Sequence, residues 1–191
     1  HGEAIMAAGY SFVSSSMDAF AGKSFNAEQY PVVDIIMGKQ KEVKIGRGAV
    51  PNRYKTMSPE LMTTITEYTK TGGNVMLTGS FIATDIWDKK NAVEEEKAFA
   101  ADVLGYKWRV GQAAIVGKIH SVPSIHSKLS DDGSWTFGME LNDKIYAVES
   151  PDAIYPADTQ TGATVFRYTE NNIPAGVASS KNGYKTFVLG V

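Results

Sequence analysis

Ser58-Pro59-Glu60-Leu61 opens, and Gly72-Gly73-Asn74-Val75-Met76-Leu77-Thr78-Gly79-Ser80 closes, the stretch that decides how this 191-residue chain is read. Ser58 suits a helix N-cap, Pro59 the first helical position, and Glu60 the positive end of the helix dipole. Leu61, Ile65 and Tyr68 then fall at i, i+4 and i+7 on one apolar stripe. Gly72-Gly73 ends the helix, and Asn74 to Thr78 reads as a strand buried on both faces. Upstream, Pro31-Val32-Val33-Asp34-Ile35-Ile36-Met37 is a second continuous apolar strand, stopped by Gly38. Strand, helix, Gly-Gly and strand make a βαβ unit, so the expected fold is α/β, with a twisted, mostly parallel sheet flanked by helices. Both strands are expected inside that sheet.

Further from this centre the assignments are shorter. His1 to Ala8 and Ser15 to Ala21 are expected as helices closed by Gly9 and Gly22, with a strand over Tyr10 to Ser14 between them. Lys39 to Met57 is a loop rich in Gly and Lys, of the length that often carries function. Gly79-Ser80 turns sharply into a helix over Phe81 to Trp87. Asn91 is expected to cap a helix to Leu104, with Glu94, Glu95 and Glu96 as a solvated first turn. The second half is mostly β. Strands are expected around Trp108, Ala114 to Val116, Ile119, Trp135 to Leu141, Ile145 to Val148 and Ala163 to Tyr168. Asp131-Asp132-Gly133 is a turn, and Asn182-Gly183 a two-residue hairpin that pairs Thr186 to Leu189 into the sheet.

A net charge of −2 with scattered Lys and Arg gives no footprint for nucleic acid. The absence of cysteine removes thiol nucleophiles, thiolate metal sites and disulfides. No apolar run approaches the roughly 18 residues of a membrane span, and no signal peptide is expected within these residues. A first residue other than Met and a strand-like finish at Val191 lead to the expectation of a single domain, residues 1–191, cut from a larger protein.

Ser80, at a strand-to-helix elbow, is the candidate nucleophile. A serine in that place more commonly caps the helix, and the G-x-S-x-G spacing is incomplete because Ala83 stands downstream. Its base would have to be His120 or His126, whose spacing makes no metal pair. Asp34, Asp85, Glu140 and Glu149 are the carboxylates weighed for glycosidase chemistry. Trp87, Trp108 and Trp135 are the rings weighed for sugar stacking. Gly46-Arg47-Gly48 lacks the setting of a phosphate loop, so no cofactor and no metal is expected.

The Ser58 to Ser80 run resembles class I glutamine-amidotransferase-like domains, and a similar run occurs in β-galactosidase trimerisation domains. Gly9-Tyr10-Ser11-Phe12-Val13-Ser14 and Tyr30 to Lys39 look like a domain of large secreted, xanthan-lyase-like proteins of gut anaerobes, some with a cell-wall amidase module. The resemblance implies a flavodoxin-like fold. It also implies secretion or a periplasmic or cell-surface location, and the other domains of a parent chain, with carbohydrate, as partners. Active amidotransferases carry Cys at the elbow and a late His-x-Glu. Here Gly79-Ser80 stands at the elbow, and Val191 ends the chain where that pair would follow. The expected function is therefore a non-catalytic accessory or assembly module. The alternatives are a serine hydrolase using Ser80 with His120 or His126, and a carbohydrate-binding module built from the Lys39 to Met57 loop and nearby aromatics.

Overall fold

A computed structural model of the chain describes residues 1–43, 54–89, 92–126, 129, 133–140 and 146–191. Among them run α1 (Gly2–Ala7), α2 (Met17–Ala21), β1 (Val32–Gly38), α3 (Pro59–Lys70), β2 (Asn74–Gly79), α4 (Thr84–Trp87) and α5 (Glu94–Asp102). The strands β3 (Tyr106–Val110), β4 (Lys118–Ser121), β5 (Ser134–Thr136), β6 (Ala153–Pro156), β7 (Gly162–Tyr168), β8 (Pro174–Lys181) and β9 (Tyr184–Leu189) follow.

The local chemistry of the deciding stretch is present. Ser58 Oγ accepts the Leu61 amide at 3.2 Å, and α3 buries Leu61, Ile65 and Tyr68. Tyr68 donates its hydroxyl to the Tyr30 carbonyl at 2.8 Å. Its ring leaves no space beside Gly73, where an added Cβ would lie 2.3 Å from the ring. β1 and β2 pair in parallel, Ile35 beside Leu77.

The sheet as a whole corrects the flavodoxin-like expectation. Seven strands form one curled, mixed sheet in the order β1-β2-β9-β8-β7-β4-β5, and β3 and β6 form a separate antiparallel pair. Among the described strands of this sheet, β1-β2 and β2-β9 pair in parallel and the other pairings are antiparallel. The cause is the β8–β9 hairpin. Asn182 and Gly183 both take positive φ, 52° and 87°, as a tight two-residue turn requires, and β9 returns to lie beside β2. A doubly wound sheet would instead reach that position through another crossover helix.

Other expectations also change. β1 is the edge strand of the sheet and does not lie inside it. Tyr10 to Ser14 is irregular and exposed. The helix after the elbow contains only Thr84–Trp87, and Ala114 to Val116 forms a loop. Asn91, Asp131 and Asp132 lie outside the described residues, as does Ile145.

One core joins Leu61, Ile65 and Tyr68 of α3 to Val75, Leu77, Val188, Leu104 and Tyr106. A second gathers Ile119, Val165, Tyr168, Ala175 and Val191 within the antiparallel half. Each fully buried aliphatic contributes about 1.5–3 kcal/mol, which makes these packed faces the main source of stability.

Candidate functional site

The carboxyl ends of β1 and β2 are where an α/β unit usually places ligands, and a cleft of about 440 Å³ opens beside them, lined by Lys41, Phe81, Thr84, Asp85 and Asp88 among others. The strand ends are fixed by a tight approach. A Cβ on Gly79 would lie 2.7 Å from Met37 Cβ, so only glycine lets β2 turn against β1.

Ser80 follows that glycine and is fully buried. Both its amide, at 2.9 Å, and its hydroxyl, at 3.2 Å, donate to the Gly38 carbonyl. It therefore joins the strand ends rather than capping α4. His120 sits on β4, four strand positions from β2, about 19 Å along the sheet at roughly 4.8 Å per strand. Its Nδ1 lies 3.5 Å from Thr169 Oγ1. His126 comes after β4, its amide bonded to Ser124 Oγ. Strand order thus sets His120 apart from Ser80, and no hydrogen bond joins either histidine to it.

The cleft is held together by polar and charged side chains from separate segments of the chain. Asp85 accepts the Glu42 amide at 2.8 Å through Oδ1, and the Thr56 amide and hydroxyl, each at 2.9 Å, through Oδ2. One carboxylate thereby clamps both described ends of the Lys39 to Met57 loop, whose residues 44–53 lie outside the described structure. Lys41 Nζ stands 4.3 Å from the centre of the Phe81 ring. Lys89 bridges Glu42 at 2.9 Å and Glu96 at 3.1 Å, and Lys55 also meets Glu96. Burial pulls the Lys89 ammonium down, but the two carboxylates outweigh it and hold it above its ordinary range. Glu96 is 1% exposed, which corrects its reading as part of a solvated helix start.

Behind the cleft lies Asp152, fully buried between β6 and α4. Its Oδ2 accepts the amides of Ala83 at 2.7 Å and Thr84 at 2.9 Å, and Oδ1 meets the Thr84 hydroxyl. Burial pushes its carboxyl up to about 7, against the pull of these donated hydrogen bonds. Tyr168 donates to the Asp152 carbonyl at 2.7 Å. Sequence reading missed this residue; its one local sign is the pair Pro151-Asp152 just before the apolar start of β6 at Ala153-Ile154.

The remaining candidates are dispersed. Asp34 Oδ2 meets His1 Nδ1 at 2.7 Å, and Glu149 pairs with Lys39 at the surface. Trp135, 43% exposed, meets Phe166 edge-on, and Trp87 packs on Tyr106. Among the described residues no three His, Cys, Asp or Glu side chains are grouped to hold a metal, and no helix is long and apolar enough to cross a membrane.

No protein-family model and no curated protein sequence matches the chain. Solved structures are similar in fold. Gan42B, a GH42 β-galactosidase, superimposes with a TM-score of 0.53 at 12% identity, over 88% of this chain and 20% of that one. The cold-adapted β-galactosidase from Rahnella sp. R3 gives 0.51 at 13% identity, over 85% and 20%. The mmIFT52 N-terminal domain gives 0.53 at 12% identity, over 98% and 76%. The chain spans about a fifth of the β-galactosidases it matches. These neighbours, with the mixed sheet, overturn the reading as a flavodoxin-like glutamine amidotransferase. The expectation of xanthan-lyase kinship hung on that resemblance and falls with it.

Proposed function

We propose that this domain is a non-catalytic accessory module working in a carbohydrate-related setting. The setting rests on the fold shared with segments of GH42 β-galactosidases, of which the chain spans only a fifth. The lack of chemistry rests on one observation: the Ser80 hydroxyl is buried and spent on the Gly38 carbonyl. A serine hydroxyl without an adjacent base is a weak nucleophile. The surrounding charges support the same reading, because Asp85, Lys89 and Glu96 hold the loop and helix together. In this role the fold supplies a rigid body for the other domains of its protein, and catalysis lies elsewhere in the assembly.

The test is turnover by the purified chain of chromogenic β-galactosides and of simple esters. No rate above buffer is expected, and Ser80→Ala should change nothing. Turnover that disappears in Ser80→Ala would replace this reading with the hydrolase.

A further inference from the structure

Strand register gathers charges that the sequence scatters. Lys118 and His120 stand two apart on β4, so both side chains share one face of the sheet, while Ile119 between them enters the second core. Directly paired residues also share a face. β7 sets Arg167 beside His120, and β5 sets Thr136 beside Lys118 and Ser134 beside His120. Thr169, whose amide donates to the Lys118 carbonyl at 2.9 Å, completes the group. At about 4.8 Å between strands and 3.4 Å per residue, the Cα atoms of Lys118 and Arg167 lie about 8 Å apart. Lys118, Ser134, Thr136 and Thr169 are exposed, and His120 and Arg167 are half-buried. Among the described residues, the ion pairs leave out Lys118, His120 and Arg167. Glu170, the acid next to Thr169, spends both oxygens on the Ile115 and Val116 amides. Arg167 Nη1 donates to the Asn172 carbonyl at 2.7 Å, which uses one guanidinium donor and steadies the group.

We propose that this face binds an acidic sugar chain, with a uronic-acid carboxylate between Arg167 and Lys118 and sugar hydroxyls on His120, Ser134, Thr136 and Thr169. Charge complementarity selects the occupant. Two cations without a carboxylate partner, on a chain of net charge −2, form a local site for an anion. The planar fork of Arg167 matches a carboxylate through two parallel hydrogen bonds. The hydroxyls and the imidazole around it both donate and accept, as the hydroxyls of a sugar do. A nucleic acid needs a longer basic track than two cations. An acidic peptide is the weaker fit, because hydroxyls rather than apolar pockets surround the charges. That the anion is a sugar rests on the carbohydrate setting proposed above; that the face takes an anion rests on its own charges.

Titration calorimetry on the whole chain tests this, with oligogalacturonate, a neutral galactan oligosaccharide, a sulfated heparin oligosaccharide and polyglutamate as probes. Oligogalacturonate is expected to bind more tightly than the other three and to weaken as salt is added. Arg167→Gln and Lys118→Gln should each weaken it about tenfold, the usual worth of a hydrogen bond to a charged group, at an unchanged melting temperature. Lys70→Gln, at the exposed end of α3, should leave binding as it is. Absence of oligogalacturonate binding, or binding indifferent to both face variants, overturns the proposal. Tighter binding of polyglutamate overturns the sugar, and tighter binding of heparin overturns the carboxylate. Turnover at Ser80 would end the accessory reading and leave this face as it is, whereas an inert chain that binds no acidic sugar would end this proposal alone.

Discussion

Asp152 and Thr84 lie 68 positions apart in sequence, yet the carboxylate of one takes both the amide and the hydroxyl of the other. That contact ties β6 to the start of α4 and so to the end of β2. With the Ala83 amide included, three donors converge on one buried carboxyl group. Replacing Asp152 with Ala leaves these donors without partners at a buried site. The expected loss is about 3 kcal/mol in chemical denaturation, from penalties of roughly 1–3 kcal/mol per orphaned group.

The same residue makes stability depend on pH. Its carboxyl sits at about 7 in the fold, against an ordinary value of 3.8. Between these values the unfolded chain has released a proton that the folded chain still holds. The contribution of Asp152 is therefore fully present below about pH 4, declines as pH rises, and is lost once pH passes about 7. Asp152→Asn should flatten this part of the profile, measured by urea midpoints across that range. An unchanged slope would show that Asp152 is not the titrating group.

Glu96 holds Lys89 and Lys55 from a buried position. Glu96→Gln should cost about 2 kcal/mol, between the limits for exposed and buried ion pairs. Because the carboxylate is shielded from solvent, the loss should persist in high salt.

What could be read from sequence was what neighbouring residues decide among themselves. Ser58, Pro59 and Glu60 specify the start of α3, and Gly72-Gly73 its end, through contacts a few positions long. The place of β9 is different. Its pairing with β2 joins residues more than 100 positions apart, as where the Lys185 amide meets Asn74 Oδ1, and no local pattern encodes it. Ala114-Ile115-Val116 looks like a strand because its side chains favour one. Glu170 captures the amides of Ile115 and Val116 at 2.8 and 2.7 Å, which removes them from any ladder. Glu96 and Asp152 were illegible for a related reason: Lys55 comes to Glu96 from across the Lys39 to Met57 loop, and the Ala83 and Thr84 donors come to Asp152 from 69 and 68 positions away.

Gly73 is fixed by Tyr68 rather than by a special backbone angle. Gly73→Ala should force the Tyr68 ring away from its seat and weaken its bond to the Tyr30 carbonyl. A loss of about 1–3 kcal/mol is expected, the usual cost of overfilling a packed site, read from the thermal midpoint.

β9 lies between β2 and β8 in the sheet, with Val188 in the main core and Val191 in the second. Removing Tyr184 to Val191 takes away both β9 ladders and several buried side chains worth about 1.5–3 kcal/mol each. That exceeds much of a typical net stability of about 5–15 kcal/mol. The truncated chain should show no cooperative unfolding transition by circular dichroism. A normal melting curve would place β9 outside the structural core.

The central claim is that Ser80 serves the strand junction and no reaction, and a serine-directed fluorophosphonate probe on the folded chain measures this directly. The account predicts no labelling, because the hydroxyl is buried against Gly38 and no imidazole is bonded to it. Stoichiometric labelling of Ser80, lost when His120 or His126 is replaced, would contradict it.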